Sequence, residues 1–72
     1  MVEVFKTNVS NMRRAANTLD ALHSKFHPYK ANFDLEDCDR ILRVESKNGT
    51  LRVAALLKFL KERDIQAEVL PD

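Results

Sequence analysis

With 72 residues and a single cysteine, Cys38, this chain is one small domain, spanning 1–72, that cannot close an internal disulfide. A fold of this size buries only about 60% of its unfolded surface, so its core must be well packed or helped by self-association. The 12 Lys and Arg against 11 Asp and Glu leave a formal net charge of +1, which excludes a strong field for nucleic acid or an anionic membrane, and no apolar run approaches the ~20 residues that span a bilayer.

Residues 2–7 (VEVFKT) alternate and predict a short strand. Asn8, Ser10 and Asn11 follow, all helix-capping side chains, and the expected cap is Asn8 or Ser10. Met12, Ala15, Ala16, Leu19, Leu22 and Phe26 then recur at three- and four-residue steps, the stripe of an amphipathic helix over roughly 10–26. Pro28 ends it, because the residue before a proline avoids helical geometry. Residues 29–36 (YKANFDLE) alternate, with Tyr29, Ala31, Phe33 and Leu35 on one face. Glu36-Asp37-Cys38-Asp39 is a polar turn, and residues 40–46 (RILRVES) form the next strand, Leu42 and Val44 inward. Thr50 is the expected cap of a second helix, striped by Leu51, Val53, Ala54, Leu57 and Leu60 and running to about Arg63. Asp64 falls where a left-handed residue often closes a helix. Residues 65–70 (IQAEVL) give a last strand with Ile65, Ala67 and Val69 inward.

The order is β-α-β-β-α-β. Right-handed crossovers around a shared hairpin then predict an α+β, ferredoxin-like sandwich: a four-stranded antiparallel sheet with both helices on one face. The first and third strands are expected to be central, the second and fourth to be edges.

In element order and length the chain resembles the heavy-metal-associated domains of copper chaperones. That family's signature, M-x-C-x-x-C, lies between the first strand and first helix, where its thiolates bind Cu(I). Here the stretch is Thr7-Asn8-Val9-Ser10-Asn11-Met12, with Thr7 for the methionine, Val9 for the first cysteine and Met12 for the second. Arg63-Asp64-Ile65-Gln66-Ala67 resembles the family's glycine-aromatic turn into the last strand, with Asp64 for the glycine and Ile65 for the aromatic. The resemblance implies a degenerate member that has kept the fold and lost the cysteine pair.

Met12 and Cys38 are the candidate metal ligands. A thioether and a thiol both suit Cu(I), and the topology places the turn holding Cys38 at the same end as Val9 and Met12. Against that, Met12 shares the register of the core stripe, where methionine is a common gap-filler. Cys38 is a lone cysteine in a turn of Glu36, Asp37 and Asp39, with no second thiol to pair with it at a metal. The acidic turn Asp34-Glu36-Asp37-Asp39 offers hard oxygens for Ca²⁺ or Mg²⁺ but lacks the spacing of an EF-hand. His23 and His27 stand four apart, the spacing of a helical zinc pair, although Pro28 indicates that the helix is ending there. No nucleophile has a base and orienter in its neighbourhood, and Gly49 alone makes no phosphate loop.

The open sheet face should carry Val2, Val4 and Ile41 among Lys6, Lys30, Asn32, Asp34, Arg43, Glu45, Gln66 and Glu68. It has no aromatic on which a base could stack, which disfavours RNA. These features lead to the expectation of a non-enzymatic binding or interaction module without a cofactor. It would contact a protein partner, or a second copy as a homodimer, through its sheet face or its former metal end, with no nucleic acid and no membrane. Residual Cu(I) binding or transfer through Cys38 and Met12 is the alternative. Met1-Val2-Glu3-Val4 lacks the basic start of a signal peptide, and with the lone cysteine this suggests the cytoplasm.

Overall fold

Alternation in the first strand decides which side of the sheet becomes core. The computed structural model describes residues 1–36, 38–47 and 49–70. In it β1 (Val2–Thr7) turns Phe5 and Thr7 to one side, both buried, and leaves Val2, Val4 and Lys6 on the other. The remaining elements are α1 (Met12–Lys25), β2 (Lys30–Asp34), β3 (Ile41–Glu45), α2 (Val53–Glu62) and β4 (Ala67–Val69). All strand pairs are antiparallel and the sheet order is β2-β3-β1-β4, so β1 and β3 are inner strands and β2 and β4 are edges. The inward face of Phe5, Leu42 and Val44 joins one core with Leu22 and Phe26 from the first helical segment and Leu56, Phe59 and Leu60 from α2.

The first helix starts later than its apolar residues suggest. Asn11, and neither Asn8 nor Ser10, is the N-cap: its Oδ1 accepts from the N–H groups of Arg13 and Arg14 at 2.8 and 3.2 Å. That start rotates Met12 out of the core, where it is 81% exposed, and leaves Ala16 exposed as well. The buried stripe is Ala15, Thr18 and Leu22. Thr18 is tolerated there because its hydroxyl donates to the Arg14 carbonyl at 2.7 Å. The helix ends at Lys25 and not at 26, so His27 lies in the following turn.

The second helix also differs in phase from the expected stripe. Leu56, Phe59 and Leu60 are buried, whereas Ala54 is exposed and Leu51 lies outside the helix. The run Leu56-Leu57-Lys58-Phe59-Leu60 satisfies two helical faces equally, and aromatic packing selects one. Phe59 meets the edge of Phe26 at 5.6 Å and 86°, and Phe26 stacks on Tyr29 at 5.9 Å and 6°. Thr50 is not the cap. Arg52 holds that position without a side-chain bond, and its N–H donates instead to the Tyr29 hydroxyl at 3.1 Å. One orphan donor of the helix start is thus satisfied from outside the helix. At the other end Asp64 takes φ 61, and the N–H of Ile65 donates to the Leu60 carbonyl at 2.9 Å.

The last strand is shorter than expected. Only Ala67–Val69 pair with β1; Ile65 is buried ahead of the strand, and Val69 shares the Phe5 side yet is 37% exposed at the sheet's edge.

Candidate functional site

Three connections gather at one end of the sheet, the end where the sequence placed its candidate metal ligands. Thr7 ties two of them together. Its N–H donates to the Asp39 carbonyl at 3.2 Å, its hydroxyl donates to the Arg40 carbonyl at 2.6 Å, and its Oγ1 accepts from the Val9 N–H at 3.2 Å. The third connection is held by Asn8, whose N–H donates to the Gln66 carbonyl at 3.2 Å and whose Oδ1 accepts from the Gln66 N–H at 3.1 Å. Arg14 adds bonds from its guanidinium to the carbonyls of Arg63 and Asp64, at 3.3 and 2.7 Å.

Inside this network Val9 is 0% exposed and part of the core. The position that the sequence resemblance aligns with a first metal thiolate is occupied by a packed aliphatic side chain. Met12 stands outside the network, open to solvent, which corrects its expected place on the core stripe. Cys38 is exposed as a free thiol in the β2–β3 turn. Met12 and Cys38 lie at the same end without lining a common pocket among those described. Met12 instead lines an apolar groove between α1 and β2 with Ala15, Ala16, Leu19, Phe33 and Leu35.

The other candidates are engaged locally. Among the described residues no three His, Cys, Asp or Glu side chains group as they would around a metal ion. Asp34 Oδ1 accepts from the Glu36 N–H at 3.3 Å, and Asp39 lies 3.8 Å from the Lys6 ammonium. Asp37, the remaining member of the acidic turn, lies outside the described residues. His23 and His27 do not share a helix face, because only His23 is helical. His23 Nε2 accepts from the Ala31 N–H of β2 at 3.1 Å. That bond was not foreseeable from spacing, since it joins a helix to the outer edge of a strand.

On the sheet face away from the helices, Val2 is 47% exposed and Val4 is half-buried. Leu70, half-buried and bonded through its N–H to the Val4 carbonyl at 2.9 Å, extends the same patch. Ile41 is on this face but only 8% exposed. Lys6 and Asp34 stand directly opposite it on either side, and the Lys6–Asp39 pair closes over that corner. Phe5 and Phe33 both face the helices, so among the described strand residues no aromatic lies on the open face.

No family model matches the chain, and neither does any curated protein or solved structure. No helix among the described residues is long and apolar enough to cross a membrane.

Proposed function

We propose that this protein is a small non-enzymatic interaction module: a ferredoxin-like, heavy-metal-associated-type scaffold that works by surface contact without a metal pair. The strand order, with β1 and β3 inside, supports the ferredoxin-like reading. The observation that carries the function is the state of Val9 and Thr7. The first is sealed in the core and the second spends its hydroxyl on two backbone groups, so the β1–α1 loop is built as a structural joint. A protein partner then finds its apolar contact on the uncovered sheet face, at Val2, Val4 and Leu70, with Lys6, Arg43, Glu45 and Glu68 supplying a mixed-charge rim.

Titration of the reduced protein with Cu(I) against a competing chelator tests this reading. The expected result is no stoichiometric uptake at micromolar affinity. Uptake of one equivalent would overturn it and favour a second reading, soft-metal binding through Cys38 and Met12. The exposure of both sulfur atoms at one end supports that alternative. Under it, Cys38→Ser abolishes the uptake; a variant that binds as well as the parent refutes it.

A further inference from the structure

The second strand is an edge, paired only with β3. The Ala31 N–H points off the sheet to His23, so by the alternation of an antiparallel ladder Ala31 and Phe33 both turn their N–H and C=O groups outward. An edge of this kind is a template for another strand unless something blocks it.

The geometry points to a second copy of this chain as that strand, added antiparallel along β2 about a two-fold axis at Asn32. In this register Ala31 faces Phe33 of the second copy, so the outward backbone groups bond reciprocally. On the open face Lys30 stands opposite Asp34 of the second copy, twice by symmetry, and the two Asn32 side chains meet on the axis. The charges select the register. Moving the axis to Lys30 or to Asp34 sets like charges face to face, moving it to Ala31 or to Phe33 leaves Lys30 and Asp34 without an opposite charge within the paired strands, and an axis between residues mismatches the two faces of the strands. The result is isologous and closed, a continuous eight-stranded sheet.

A five-residue edge is short of the ~800 Å² that each partner of a standard interface buries. The flank beside it supplies more. The α1–β2 groove carries the exposed Met12 and Ala16 with the half-buried Leu19, Phe33 and Leu35, and the pairing brings the two α1 helices to either side of the joint. The thioether that the core rejects thereby acquires an apolar neighbour. His23 occupies the Ala31 N–H in the free chain and is displaced by the incoming carbonyl. This inference does not depend on the sheet-face reading, because it uses the edge and not the face.

Sedimentation velocity over a concentration series, with charge-swapped variants, tests it. Lys30 and Asp34 are exposed, so their exchange leaves the core intact. The full chain is expected to form a dimer. Lys30→Asp alone and Asp34→Lys alone each replace two attractions by two repulsions and should weaken it by about tenfold or more. Mixing the two variants restores complementary charges in the heterodimer and should recover the parent affinity. Val4→Lys, on the sheet face, should leave the dimer unchanged. A monomer at every concentration overturns the inference, and so does a dimer indifferent to both swaps or one whose mixed variants fail to recover.

Discussion

The loop end and the α1–β2 flank are built from neighbouring residues of the same elements, and they are finished very differently. At the loop end Thr7, Asn8 and Arg14 satisfy the backbone of three connections, and Val9 fills the space beneath. A few residues on, Met12 is in solvent, Ala16 is exposed and the edge of β2 carries a side-chain partner in His23. Backbone groups that are spent on internal bonds have little left to offer a ligand. A region with outward backbone groups beside an apolar groove is poised to bind. Under the proposed reading, the loop end is structural and the flank makes the contact.

Substitutions on either side can break or sharpen this contrast. The largest effect is expected at Val9. Val9→Asp buries an unpaired charge and should cost about 4 kcal/mol or more, enough to unfold a domain of this size in a urea titration followed by circular dichroism. A folded, nearly unperturbed variant would mean that the loop is looser than its packing indicates. Thr7→Val comes next. It keeps the shape but leaves the Arg40 carbonyl and the Val9 N–H unpaired, for an expected loss of about 1–3 kcal/mol in the same assay. The smallest effect belongs to the flank: Met12→Ala should change monomer stability by no more than about 0.5 kcal/mol, because the side chain has little contact to lose. A loss comparable to that at Thr7 would erase the distinction between the two regions.

The sequence carried the strands well and the helices less well, for physical reasons visible at single residues. Alternation in VEVFKT and KANFD fixes which face is buried because the strand period is two, and only one phase suits Phe5 or Phe33. Helical phase is softer. Three capping residues precede α1, and choosing Asn11 over Ser10 moves Met12 from core to solvent. In α2 the cluster of leucines allows two faces, and the choice depends on Phe26 and Tyr29, which are distant in sequence. Of the candidate site, the meeting of the β1–α1 and β2–β3 connections at one end was legible from topology. The exposure of Met12 was not, nor was the bond from Ala31 to His23, since both depend on where a helix begins and how it lies along an edge strand.

Amide chemical shifts followed through a dilution series of the unmodified protein test the central claim most directly, because they report on both regions at once. The account predicts concentration-dependent shifts at Ala31, Asn32 and Phe33 and along the Met12–Leu19 side of α1, with the amides of Thr7, Val9 and Gln66 unmoved. Shifts centred on Val9, Asn11 and Cys38, with the β2 edge silent, would contradict it.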